Sequence, residues 1–332
     1  MNSNRIKSTR ILKIVLFILG VFLLVLLISQ VGLREIIEII LRAKIEFLIF
    51  GFLVYLLLIL TRAFKWFLLI RITGSEVKYK EFLPFYFVNC LLGNITPLKS
   101  GEAATPIILK KYLKIPVGQG FSIVILDRFF ELLVFTVIFM LAIFYIINAG
   151  IPSGLVLSIF QWVLFGLILL ILILIIVIVS KRTVLKILWA FNLFKKYSLM
   201  EKFLVFIEKE LQIFYDGLSW FKNKRVYKFM IPLTLICWFL DFLSFYFIVS
   251  SVLSASFFNI ATAQVMAIAA ALLTFIPVGI GIGELGIVYI LNLFNYPTAL
   301  STTGALLARI ILTGTLLTIG IIGTFLLRER KK

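Results

Sequence analysis

Long unbroken apolar stretches alternate along this chain with short basic segments. Six stretches are long enough to span a bilayer, at about 11–30, 46–70, 119–147, 155–180, 229–253 and 303–326. Ile11–Ser29 carries one charge near its start, and Leu155–Ser180 carries none. Roughly 20 apolar residues in a helix cross ~30 Å of hydrocarbon, so each stretch meets the requirement. The runs are continuous rather than alternating, which predicts helices and not the strands of a barrel. Two further apolar regions, 82–114 and 259–296, are interrupted midway. Each contains two pieces too short for independent spans, and each reads as a re-entrant pair that dips in and returns to the same side. Two short full spans per region would give the same sidedness. The expected fold is an all-α polytopic membrane protein with six full spans and two broken helix pairs.

The two interruptions resemble each other. Residues 91–102 run Leu-Leu-Gly-Asn94-Ile-Thr96-Pro97-Leu-Lys-Ser100-Gly101-Glu102, and residues 272–284 run Leu-Leu-Thr-Phe-Ile-Pro277-Val-Gly-Ile-Gly281-Ile-Gly283-Glu284. Each copy goes from a Leu-Leu run through a proline and a glycine-containing break to Gly-Glu. A second proline follows after 19 residues in one copy (Pro116) and 20 in the other (Pro297), and an arginine stands twelve residues later, Arg128 and Arg309.

Loop charges orient these pieces. Arg5, Lys7, Arg10 and Lys13 precede the first span, and Arg62, Lys65, Arg71, Lys78 and Lys80 mark the segment 62–80. Lys110, Lys111 and Lys114 end the first broken region, eleven Lys/Arg against four acids fill 181–228, and the C-terminus is basic. All fall on one side of a six-span layout, which the positive-inside rule makes the cytoplasm, with both termini there in the cell membrane. The opposite loops 148–154, 254–258 and 295–302 carry no charge, and only the outside loop 31–45 mixes signs. Three full spans separate the two broken regions, so the copies have opposite orientations. The expected organisation is therefore a basic segment, first span and outside loop in 1–45, a repeat unit in 46–147, and a connecting span in 148–180. A cytoplasmic linker follows in 181–228, then an inverted repeat unit in 229–326 and a basic tail in 327–332. In the linker, Phe203, Ile207, Leu211, Phe214, Leu218 and Phe221 recur at steps of three and four, predicting a helix with one apolar face lying in the interface. Inverted repeats of this kind are a common plan of transporters, with the substrate site near midplane where broken helices meet.

Composition narrows the chemistry. The chain is 62% hydrophobic and 14% charged, far from a soluble domain. Its formal charge of +18 is concentrated in a few loops, which topology and anionic headgroups explain without nucleic acid. The chain has no histidine, which removes Ser-His-Asp triads and the commonest metal ligand; no cofactor and no metal are expected. Cys90 and Cys237 both lie in apolar segments.

Charges inside apolar runs cost roughly 2.5–3.5 kcal/mol each at the bilayer centre on insertion scales, so each needs a partner or a wet cavity. The candidates are Glu102, Asp127, Arg128, Glu131, Asp241, Glu284 and Arg309. Asp127 and Glu131 share a helix face, where they serve either an ion-pair network or a pathway. A half-helix starting after Pro97 or Pro277 points free N–H groups inward, and Ser100, Gly101, Gly281 and Gly283 permit close approach, which makes a seat for an anion or phosphate. A nearby arginine would complete it. Glu102 and Glu284 cap the half-helices, orient the arginines or carry protons; the residues alone leave the three open. Asn89, Asn94 and Thr96 add polar groups to the first copy only.

The stretch Asn94-Ile-Thr-Pro97-x-x-x-Gly101-Glu102, with Asp127-Arg128 and Glu131 after it, resembles the membrane domain of lysylphosphatidylglycerol synthase/flippase proteins and of related uncharacterised flippase-like membrane proteins. Pro277-Val-Gly-Ile-Gly281-Ile-Gly283-Glu284 is similar to that family's second signature, and the resemblance covers about 10–326. It implies a flippase for anionic phospholipids or polyprenyl-linked lipids, with Pro97, Gly101, Glu102, Asp127, Arg128, Pro277, Gly281, Gly283, Glu284 and Arg309 lining or shaping the pathway. Members that make aminoacylated lipids carry a soluble transferase domain after the membrane part. These 332 residues hold none, so a separate transferase that makes the lipid is the expected partner, and a transporter rather than an enzyme is the expected activity. The alternatives are a membrane-embedded transferase using Asp127, Glu131 or Glu284 as base, or a small organic-anion carrier.

Overall fold

A computed structural model describes residues 3–95, 101, 104–151, 154–180, 209–274 and 279–329. Every regular element among them is helical. Helix α1 (Ser3–Val31) is followed by α2 (Leu33–Leu41), α3 (Ile45–Ile72), α4 (Tyr79–Ile95), α5 (Thr105–Leu113), α6 (Val117–Asn148) and α7 (Gly154–Val179). A helical stretch at 209–218 and a turn of 3-10 helix, Ser219–Lys222, then lead into α8 (Lys224–Ser250), α9 (Phe257–Thr274), α10 (Ile282–Leu293) and α11 (Thr298–Glu329). Among the described residues, five helices are long and apolar enough to cross a membrane: α3, α6, Phe160–Val179 of α7, α8 and α11. A sixth is added if Phe17–Val31 and Leu33–Leu41, bent by 77° at Gly32, count as one span. In hydrocarbon each backbone N–H and C=O must bond within its own segment, and these runs satisfy that as helix.

Each interrupted region consists of two shorter helices on either side of its break, α4 and α5 in the first and α9 and α10 in the second. The chain thus twice shows the order long helix, two short helices, long helix. The segment 31–45, expected as a loop, is mostly the helix α2. Its Ile36 is buried, whereas Leu33, Ile37 and Leu41 are exposed and Arg34 pairs with Glu38 at 3.0 Å. Its apolar residues Leu33, Ile36, Ile37, Ile40 and Leu41 recur at helical steps of three and four, the pattern of a short helix that lies along a surface.

Helix packing relies on small residues, as expected where no hydrophobic force separates helix from lipid. Along the α3–α8 contact, a Cβ on Gly51 would sit 2.6 Å from Ile248 Cγ1 and 3.1 Å from the Ser244 carbonyl oxygen. Along α4–α11, Gly320 and Gly323 admit Leu91 and Phe87 at similarly short range. Two apolar cores result. One joins α6, α7, α8, α9, α10 and α11 around Phe139, Ile248 and Leu291, and the other joins α3, α4, α6 and α8 around Leu58, Phe82 and Phe130. Around the rim, Phe144, Trp162, Phe165, Val179, Ile310 and Phe325 stand exposed, the apolar surface that lipid would cover.

Of the linker, 181–208 lies outside the described residues, including Phe203 and Ile207. In the remainder, Phe214 and Leu218 are buried and Leu211 and Phe221 pack against the second core. The apolar face thus meets protein: Gly118 and Gly217 let this helix approach the start of α6, and Glu210 Oε2 accepts from the Gly118 amide at 2.6 Å. A carboxylate there satisfies one of the open N–H groups of α6 and faces its positive end.

Candidate functional site

The bundle-facing stripe of α3 runs Tyr55, Ile59, Arg62, Lys65 and Leu69, at steps of three and four, so two cations ride on an otherwise apolar face. Arg62 and Lys65, counted above among loop charges, therefore belong to the interior. Lys65 is 1% exposed. Helix α6 answers with Asp127 and Glu131, one turn apart on the facing side. Lys65 Nζ lies 2.9 Å from Asp127 Oδ1 and also pairs with Glu131 Oε1. Arg128 Nη2 reaches Asp127 Oδ2 at 3.3 Å. Helix α8 supplies Asp241, whose Oδ2 accepts from Arg62 Nη2 at 3.0 Å.

The second break is built around Glu284. Gly281 ends the break with φ 79°, and Glu284, three residues on, folds back so that its Oε2 accepts from the Gly281 amide at 2.8 Å. That is the side-chain half of a capping box. The other carboxylate oxygen pairs with Arg309 Nε of α11, whose Nη2 also donates to the Gly279 carbonyl at 3.2 Å. Glu284 thus caps its helix and orients Arg309 at once, two of the three roles the sequence left open. The Gly281 amide and Arg309, the groups expected to seat an anion, are here bound to the chain's own carboxylate.

These groups surround a cavity of about 350 Å³. Tyr55, Arg62, Glu131, Trp238, Asp241, Gln264, Glu284 and Arg309 give it polar groups, and Phe245, Ile268, Leu272, Ile287, Leu312 and Leu316 give it apolar wall. Gly93 of α4 and Gly279 and Gly283 of the second break also line it, so it lies beside both interruptions. Among the described residues, the charges on its wall and behind it are paired, with Arg62, Lys65, Arg128 and Arg309 facing Asp127, Glu131, Asp241 and Glu284.

Of the residues singled out in the sequence, Glu131, Asp241, Gly283, Glu284 and Arg309 line the cavity, and Gly281 holds the cap beside it. Asp127 and Arg128 join through the Lys65 network without lining it. Thr96, Pro97, Ser100, Glu102 and Pro277 lie outside the described residues, as does the Asn94 side chain; Gly101 stands in the first break. Past that break, Thr105 donates to Asn89, joining α5 to α4. Sequence reasoning missed Arg62, Lys65, Tyr55, Trp238 and Gln264. The signal for the first two was present: the apolar run continues through Trp66–Ile70, so a loop cannot begin at Arg62.

Comparison with known proteins agrees with this architecture. Over 316 residues the chain is 24% identical to UPF0104 membrane protein MJ1595 of Methanocaldococcus jannaschii, covering 92% of each protein. It is 27% identical over 291 residues to UPF0104 membrane protein PH1989 of Pyrococcus horikoshii, covering 82% of this chain and 84% of that one. Residues 10–320 match the family described as the lysylphosphatidylglycerol synthase TM region. A multi-pass chain with paired charges around an open cavity, matched over almost its whole length, belongs to that membrane-protein family.

Proposed function

We propose that this protein moves a phosphate-bearing lipid, a phospholipid or a polyprenyl-linked lipid, between the leaflets of the cell membrane. The headgroup passes through the cavity beside the two breaks while the acyl or prenyl chains stay in the apolar surround. The observation that carries this reading is the composition of that cavity. A polar, charge-bearing wall beside an apolar one suits a molecule that is itself polar at one end, and buried charges in such a chain need a function or a partner to be kept. The family's description, the membrane region of a lipid synthase, supports a lipid as the substrate.

Arg309 is the proposed contact for the phosphate. A phosphate oxygen competes with Glu284 for the guanidinium, which binds either anion through forked hydrogen bonds. When Glu284 yields, the Gly281 amide and the positive end of α10 become a second seat for the same anion. Glu284 then acts as a resident counter-anion that keeps the path closed when no headgroup is present. The Arg62–Asp241 pair offers the next exchange on the same cavity wall, beside Glu131, which Lys65 holds from behind. Alternating access follows from the proposed inverted repeat, with α4–α5 and α9–α10 as re-entrant pairs entering from opposite sides and both termini cytoplasmic. The loop charges support that sidedness, and the repeated order of long and short helices supports the repeat.

The test is purified protein in vesicles carrying a fluorescent phospholipid, read with an impermeant quencher. Wild type is expected to expose inner-leaflet lipid, and Glu284→Gln and Arg309→Met to slow this at least tenfold while eluting as folded protein. Wild-type rates in both variants would overturn the reading. Loss of movement on adding a soluble organic phosphate, with uptake of that phosphate, would favour an anion carrier instead.

A further inference from the structure

Glu284 caps α10 and orients Arg309, and its surroundings suit it to a third task. Its side chain is 2% exposed, whereas that of Arg309 is 26% exposed and lines the cavity. A phosphate in the cavity reaches Arg309 directly, but Glu284 has little water to turn to once the guanidinium leaves it. Helix α10 packs mainly on α9, α11 and α1. Helix α9 has no ionisable residue, and α1 has none from Val15 to Val31. Helix α11 offers Arg309, with Arg328 and Glu329 at its far end. On α10 itself the other titratable group is Tyr289, which is half exposed. Across the cavity stand Arg62, Glu131 and Asp241. Arg62 is paired with Asp241 at 3.0 Å, and Glu131 with Lys65. Among the described residues, Arg309 is thus the cation that faces Glu284, and no second one stands ready to replace it.

Exchange of Glu284 for a phosphate at Arg309 adds one negative charge to this part of the wall. A buried carboxylate that loses its counter-cation is more stable as the neutral acid. We infer that Glu284 takes up one proton for each phosphate monoanion that Arg309 receives, so that lipid and proton cross together. Arg309 Nε leaves Glu284 Oε1 for the phosphate, and a proton from cavity water binds the uncovered oxygen. The new O–H donates to the phosphate. A neutral carboxyl accepts more weakly than a carboxylate, so protonation also loosens its hold on the Gly281 amide, the second seat of the anion. When the headgroup departs, Arg309 returns, its charge favours the carboxylate, and the proton leaves on that side. Glu131 and Asp241 fit this task less well. Their side chains are 12% and 15% exposed, so water serves them, and Glu131 keeps Lys65 throughout. The inference rests on the cavity being the headgroup path and adds what drives movement along it.

Proton uptake on binding tests this without any transport. Full-length protein in weakly buffered detergent near neutral pH is mixed with phosphatidylglycerol, whose phosphodiester keeps one negative charge there, and an indicator dye follows the pH. Wild type is expected to take up about one proton per lipid bound, and Glu284→Gln to bind the lipid without uptake. In vesicles with the membrane potential held at zero, wild type under a pH difference of about one unit is expected to enrich the lipid about tenfold in the leaflet facing the alkaline side. Glu284→Gln, however slowly it moves lipid, is expected to reach equal leaflets. Binding by wild type without uptake, uptake by Glu284→Gln equal to wild type, or equal leaflets for wild type under the gradient overturns the inference. Lipid movement without proton uptake would sink this inference alone, whereas uptake on binding without movement would sink the translocation reading alone.

Discussion

Lys65 is the residue on which the interior charges depend most. It sits between Asp127 and Glu131 with almost no exposure, so removing it leaves two carboxylates facing each other out of water. Breaking a buried pair from one side costs about 3–5 kcal/mol because the remaining charge is uncompensated. Lys65→Met is therefore expected to lower stability by about that amount, read as a large drop in unfolding temperature in detergent. Adding Glu131→Gln to Lys65→Met is expected to restore part of it, and a double variant no more stable than the single one would contradict this pairing. At this scale the sequence was half legible. Asp127, Glu131, Glu284 and Arg309 stand out because each interrupts an apolar run. Lys65 and Arg62 hide because they lie near the end of one, beside basic residues that do belong to a loop. Their partners are also far along the chain: 179 residues separate Arg62 from Asp241, and no local spacing reports that.

At the scale of elements, the second break and the linker each hang on one close approach. Gly281 has φ 79°, and a Cβ there would lie 2.2 Å from the carbonyl oxygen of Gly20 in α1. Gly281→Ala combines backbone strain with that clash, and a position of this kind costs on the order of 1–3 kcal/mol before any clash is counted. The expected result is a destabilised protein with α1 displaced from the break, seen as faster proteolysis near residue 20; unchanged stability would show that α1 does not rest there. For the linker, a Cβ on Gly217 would meet Ser122 Oγ at 2.2 Å. Gly217→Leu is expected to lift the 209–218 helix from α6, raising cleavage within it while the spans stay assembled. Protection equal to wild type would contradict that docking. The long helices were readable because 20-residue apolar runs have one solution in lipid, and the breaks because proline and glycine mark them. Helix α2 was signalled by the helical steps of Leu33, Ile36, Ile37, Ile40 and Leu41, but nine residues are too few to span a bilayer and the segment passed for a loop. The docking of the linker was not readable either, because an apolar face looks the same whether lipid or protein covers it.

At the scale of the whole molecule, the chain places long helices α3 and α8 against each other and gathers the two broken regions beside one cavity. The order of elements and the family were legible from the duplicated motif; the cavity was not, because it is made by residues from seven helices whose contacts depend on packing. The central claim is that this cavity is the headgroup path, and blocking it tests that most directly. Thr313 of α11 lines the cavity and is only partly buried, so Thr313→Trp fills space without entering a packed core. Val179, at the exposed end of α7, gives a control of the same added bulk in Val179→Trp. The decisive measurement is the rate of transbilayer lipid movement in vesicles holding equal amounts of each folded protein. Thr313→Trp is expected to fall to the protein-free rate while Val179→Trp moves lipid as wild type does; movement by Thr313→Trp at the wild-type rate would contradict the proposed path.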